Sequence, residues 1–126
     1  MKFATIDSSQ APVYTFEIQP IAPTVEQVHE HIRELNATLA GINKGVFIID
    51  ITNMKFLSSE NRIILGKWLK ETTPVLKAKL NGMGFVAPLI QRMLLKGVFL
   101  VSAPPVEHSV FNNREEATAW AKARLA

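Results

Sequence analysis

The sequence contains no cysteine. That removes disulfides, thiolate metal ligands and cysteine nucleophiles together. It has no uninterrupted apolar run of the roughly 20 residues that a bilayer-spanning helix needs, because its longest hydrophobic stretches carry charges. The opening MKFATIDSSQ places acid and polar residues where a leader needs an apolar core, so no secretory leader and a cytoplasmic location are expected. No G-x-S-x-G occurs, so no serine stands in a nucleophile elbow. NGMGF supplies two glycines but no following Lys-Ser/Thr and reads as a turn before a strand, not a phosphate loop. His29, Glu30 and His31 form HEH, but zinc-binding helices need histidines four apart on one face. These two point to different sides, and the ligand geometry is wrong for a metal. His108 falls on an edge strand and reads as a surface residue. With no acid, base and nucleophile at a readable spacing, the expectation is a non-enzymatic protein without cofactor or metal.

What is present is an ordinary globular composition. The 126 residues suit a single domain, 1–126, and 48% hydrophobic with 20% charged residues argues against disorder. The net charge of +3 is unevenly placed. From Lys55 to Lys96 the chain holds eight basic residues and two acids, a net of +6 that leaves −3 elsewhere. Such a segment suits solvated helix faces, or an acidic partner, a phosphate or an anionic membrane surface. Nucleic acid is not expected, because the basic residues are interleaved with aliphatic side chains instead of stacking aromatics.

Along the chain, KFATI and VYTFEI are β-rich runs separated by the turn-forming DSSQAP. In the second run Tyr14, Phe16 and Ile18 share one face, and Val13, Thr15 and Glu17 the other. Thr24 and Gln27 have capping-box spacing at the start of a helix whose stripe is Val25, Val28, Ile32, Leu35 and Leu39. Gly41 stops it. GVFIIDI reads as a central strand covered on both faces. The helix after Ser58 and Ser59 is expected to end near Thr73, since Pro74 disfavours helix at the residue before it. PVLKAKLNGM reads as a helical turn followed by a loop, and Gly84–Ala87 as a short strand. Pro88 opens a very apolar helix running to about Ser102, with strand an alternative for Val98–Val101. VEHSVF is an edge strand. Asn112 or Asn113 caps a last helix whose Ala117, Trp120, Ala121 and Leu125 face inward. Arg114 is oddly placed at the positive end of that helix, though Glu115 and Glu116 offset it. The predicted order β-β-α-β-α-β-α-β-α implies an α/β fold: one mixed sheet with about four helices.

DITNMKFLSSENRIIL resembles the switch segment of STAS domains, the sulfate-transporter and anti-sigma-factor-antagonist fold. Asp50, Ile51 and Thr52 match the strand end, and Phe56 and Leu57 the apolar turn. Ser59 falls on the position that family members use as phosphoacceptor. PPVEHSVFNNREEATAWAKARL is similar to the ending of SpoIIAA-like single-domain bacterial proteins, and the resemblance covers most of the chain from Val13 onward. Ser58 stands where the family has Asp, and Asn61, Arg62 and Ile63 replace its Gly-Leu-Gly. A kinase adapted to the usual surface would meet a different one here. The resemblance implies signal transduction by contact with a protein partner, a kinase or regulator, through a face formed by Asp50, Thr52, Asn53, Asn61 and Arg62 around Ser59 and Ser58.

Two sites are therefore expected. At the first, Ser58 or Ser59 caps the helix, and a phosphate on Ser59 would sit where first-turn amides and the helix dipole favour an anion, with Arg62 within a turn. Asp50 is expected to accept hydrogen bonds from loop amides between Thr52 and Met54. The second is the 88–101 helix, apolar nearly all round. Leu89, Met93 and Leu100 with Gly97 form one side, Ile90, Leu94, Val98 and Val101 the other, and Leu95 and Phe99 lie between. It is either deeply buried or presents Ile90, Leu94, Leu95, Val98 and Phe99 to a second copy of the chain, a membrane surface or a lipid tail. The lipid alternative parallels the SEC14-like modules grouped with this fold.

Overall fold

Strand β3 (Gly45–Asp50) sends its side chains alternately to the two sides of a sheet, and both sides are covered. Phe47 joins the larger core with Ile49 packed against it, while Val46 and Ile48 join a smaller one. The computed structural model describes residues 1–126. The other strands are β1 (Ala4–Gln10), β2 (Val13–Ile18), β4 (Leu80–Val86) and β5 (His108–Phe111). The helices are α1 (Val25–Ala40), α2 (Ser59–Glu71), α3 (Thr73–Lys79), α4 (Leu89–Phe99) and α5 (Arg114–Leu125). The sheet order is β1-β2-β3-β4-β5. β1 pairs antiparallel with β2, and every other pairing is parallel. This is the mixed α/β sheet that the alternation predicts.

The smaller side is covered by α5. Ala117 and Ala121 pack there with Val13, Val46, Ile48 and Val86, and Trp120 and Leu125 lie against them. The helix comes close because β4 offers glycines beneath it. A Cβ on Gly82 would stand 2.8 Å from the Trp120 ring and 3.1 Å from the Glu107 carbonyl. The larger side carries the remaining helices over Phe3, Phe16, Phe47, Met83 and Phe85. Helix α1 begins with the expected capping box: Thr24 Oγ1 accepts from Gln27 N, and Gln27 Oε1 accepts from Thr24 N. Asn113 caps α5 by accepting from the Glu116 amide.

Some expectations are corrected. Five helices form, not about four. Helix α2 stops at Glu71, and the segment expected as a turn and loop is a separate helix, α3. Pro74 falls in its first turn, where a missing N–H removes no helical hydrogen bond. Leu80 follows directly as the first residue of β4 and pairs with Gly45, so that strand starts four residues before Gly84. β1 extends to Gln10, β5 begins at His108 instead of Val106, and Val98–Val101 does not form a strand.

Candidate functional site

The two serines have separate roles. Ser58 is the N-cap of α2: its backbone is extended and its Oγ accepts from the Asn61 amide at 3.1 Å. Ser59 is the first helical residue and is exposed. Its Oγ accepts a hydrogen bond from Arg62 Nη2 at 2.9 Å. Arg62 also donates from Nη1 to the Leu57 carbonyl at 3.3 Å. Its aliphatic stem lies over Gly97 of α4, where an added Cβ would meet Arg62 Cδ at 2.6 Å. The guanidinium beside Ser59 is thus held from three sides, by α2, by the loop before it and by α4. Lys55 and Phe56 are exposed in that loop, and Ile63 is exposed one residue beyond Arg62.

Of the remaining residues expected to meet a partner, Thr52 and Asn53 are exposed. Asn61 is not: it is 1% exposed, and its Nδ2 donates to the Pro23 carbonyl at 3.1 Å. That side chain ties α2 to the segment before α1, which removes it from any contact face. Asp50 is also buried. Its Oδ1 accepts from the Thr52 amide at 3.0 Å and from the Thr52 hydroxyl at 2.6 Å, as the loop chemistry leads one to expect. Its Oδ2 accepts from Arg114 Nε at 2.6 Å, and Arg114 Nη2 donates to Glu17 Oε2 at 2.7 Å. Glu17 and Asp50 are register partners on β2 and β3, so one guanidinium bridges two adjacent strands. Burial alone would raise the Asp50 pKa, but hydrogen bonds from Thr52 and Arg114 overcome it and hold the carboxyl below its ordinary value. The bond to Asp50 raises the Arg114 pKa despite partial burial. This network explains the oddly placed arginine: it serves the strand ends, not the helix end. Its unfavourable helix position was the one sequence signal that could have exposed it.

Helix α4 is turned differently from the sequence expectation. Leu95 and Val98 are buried, and Leu94 and Phe99 pack against the core, with the Phe99 ring edge-on to Phe85 at 5.3 Å. Of the five residues expected on an apolar surface only Ile90 is exposed. The outward apolar set is Leu89, Ile90, Met93 and Leu100. Beneath α4 lies a cavity of about 70 Å³, whose lining includes Phe3, Leu35, Phe85, Leu95 and Phe99. His31 is the one member of its 16-residue lining that is not hydrophobic. Helical spacing from Val28 through His31 to Leu35 and Leu39 puts it on the buried stripe of α1, while His29 is exposed. Sequence reasoning separated the two histidines but did not place His31 in the core. Burial pushes its pKa down to about 4. No helix is long and apolar enough to cross a membrane.

No protein-family model and no curated protein matches the chain. Solved structures do. An uncharacterized protein of the DUF3478 family with a SpoIIAA-like fold, from Shewanella loihica PV-4, superposes with a TM-score of 0.63 at 20% identity. That likeness covers 94% of this chain and 91% of that one. An anti-sigma factor antagonist from Mycobacterium paratuberculosis superposes with a TM-score of 0.60 at 14% identity, covering 94% and 92% of the two chains. The chain therefore has a SpoIIAA-like fold.

Proposed function

We propose that the protein is a non-enzymatic regulatory or adaptor module that binds a protein partner around the N-terminus of α2, under control of phosphorylation at Ser59. The observation that carries this reading is the exposed Ser59 hydroxyl 2.9 Å from the Arg62 guanidinium. A phosphate there would add about −1.5 to −2 charge beside an arginine and a helix N-terminus. Ser58 would keep the capping bond, so the fold would persist while the surface changed sign, which suits partner exchange. Thr52, Asn53, Phe56 and Ile63 would extend the contact face. The fold shared with an anti-sigma factor antagonist is in keeping with a regulatory role in the cytoplasm.

The test is phosphopeptide mapping of the protein isolated from its native host, with co-purification of wild type, Ser59→Ala and Ser59→Asp. Phosphate on Ser59 and a partner retained by only one of the two variants are expected. Absence of phosphate, together with partners unaffected by either change, would refute the reading.

A second reading, binding of a small apolar ligand beneath α4, is favoured by the cavity there and by the exposed outer side of the helix that closes it.

A further inference from the structure

Helix α4 is apolar on two opposite sides, and the core takes only one of them. Leu95 and Val98 face inward. Leu89, Met93, Lys96 and Leu100 recur at intervals of four, three and four and so form one outward stripe, with Ile90 beside it. Leu89 is 81% exposed and Leu100 88%. A contiguous apolar patch of this kind marks a contact surface, and its charges say with what. Lys96 is exposed within the stripe. Arg92 borders one flank, donating to the Ala87 carbonyl at 2.8 Å and to Asn112 Oδ1 at 2.9 Å. Arg62 borders the other, its stem over Gly97. No acidic residue occurs between Glu71 and Glu107, and Glu107 is engaged with Arg124. Glu60, two residues before Arg62, lies on a different side of α2.

We propose that the outer face of α4 docks on an anionic membrane surface. The helix lies flat at the headgroup level, with Leu89, Met93 and Leu100 among the upper acyl chains and Lys96, Arg62 and Arg92 at the lipid phosphates. Lys96 decides between the occupants. A second copy of the chain would set this cationic stripe against itself. The centre of a protein interface is depleted in lysine, because each ammonium there needs its own acid. At a bilayer surface the same lysine lays its stem along the apolar stripe and lifts its charge to the phosphates. Apolar insertion and attraction to anionic lipid act together in surface-bound helices. The core holds α4 in place beforehand, so little ordering opposes binding. No helix is long and apolar enough to cross a membrane, and a helix lying flat crosses none. Neither phosphate on Ser59 nor a guest beneath the helix is required.

Co-sedimentation of the full chain with vesicles tests this. One set is phosphatidylcholine alone and the other phosphatidylcholine mixed with phosphatidylglycerol. The wild type is expected to bind the mixed vesicles, to bind the neutral ones far more weakly, and to be released by salt. Lys96→Glu should weaken binding to the mixed vesicles roughly twentyfold, two charge steps of about fivefold each. Leu89→Ser and Leu100→Ser should each weaken it about tenfold, the low end for burying a leucine side chain. All three positions are exposed, and urea unfolding checks that each variant keeps its fold. No sedimentation of the wild type with mixed vesicles would overturn the proposal. So would binding that none of the three variants weakens, or equal binding to neutral and mixed vesicles. A dimer by light scattering that Leu89→Ser and Leu100→Ser dissociate, with no vesicle binding, would give this face to a second copy instead.

Discussion

The two sides of the sheet are closed by different means. Under α5 the partners are small and the approach is tight: Gly82 and Gly84 lie beneath Trp120, and Ala117 and Ala121 face Val46 and Ile48. The edge of that side is tied by Arg114 to Asp50 and Glu17, with charges matched. The opposite side buries far more apolar bulk, yet it keeps a cavity and an unpaired histidine nitrogen. Close packing, with charges matched along its edge, specifies one arrangement. Bulk hydrophobic cover supplies stability while leaving room for a guest.

The largest effect should come from the bulky side. Phe47 is fully buried between Tyr14 and Phe16, and Phe47→Ala should destabilise by about 3–5 kcal/mol. Urea unfolding with an unchanged m-value checks this. A loss below about 1 kcal/mol would mean that this core collapses around a vacancy, against the comparison.

Acid should weaken the two sides in turn. The folded pKa of His31, about 4, lies below its unfolded 6.5, because burial disfavours the charged form. The unfolded chain therefore binds more protons between these values, and stability falls as pH drops through that window, by on the order of 3 kcal/mol. Asp50 is also depressed, from 3.8. Its contribution is present above that value and is lost as pH falls further, through the folded value. His31→Leu should flatten the upper limb of a stability–pH profile and Asp50→Asn the lower limb. A single limb untouched by His31→Leu would refute the assignment.

A third pair of substitutions adds volume to each side. Gly82→Ala places a methyl 2.8 Å from the Trp120 ring with a backbone carbonyl at 3.1 Å, and should cost about 1–3 kcal/mol. Val98→Ile adds one methylene to a cavity-lining residue and should be neutral or stabilise by up to about 1 kcal/mol. Chemical denaturation of the two variants beside the wild type checks both. If the two cost the same, the sides do not differ in packing.

How much of this was legible in the sequence follows the range of the forces. Local chemistry was readable: the Thr24 capping box, the Asn113 cap and the Asp50 turn to Thr52 are contacts within three residues. Period-two alternation in β2 gave its two faces, and the unbroken apolar run of β3 gave a strand covered on both sides. What escaped were facts of register and rotation. That Glu17 stands beside Asp50 depends on how β2 aligns with β3, and Arg114 acquires its role only from that alignment. Helix α4 is apolar nearly all round, so its sequence holds no polar stripe to say which side turns outward. Packing against Phe85 and α2 decides it. Asn61 looked like a surface residue because its partner, the Pro23 carbonyl, is 38 positions away.

The smallest predicted effects separate the two serines. Ser58→Ala removes the bond to the Asn61 amide and should cost about 1 kcal/mol, the usual value of an N-cap. Ser59→Ala removes only an exposed bond with Arg62, whose guanidinium keeps the Leu57 carbonyl, so its effect should stay within about 0.5 kcal/mol. Thermal and urea unfolding of both variants give the difference directly. The ordering matters for function. A residue free to carry a modification must be one the fold can do without, and on these contacts that residue is Ser59. Were Ser59→Ala to cost as much as Ser58→Ala, its hydroxyl would belong to the cap. A phosphate on it would then disturb the start of α2 instead of only changing the surface above it.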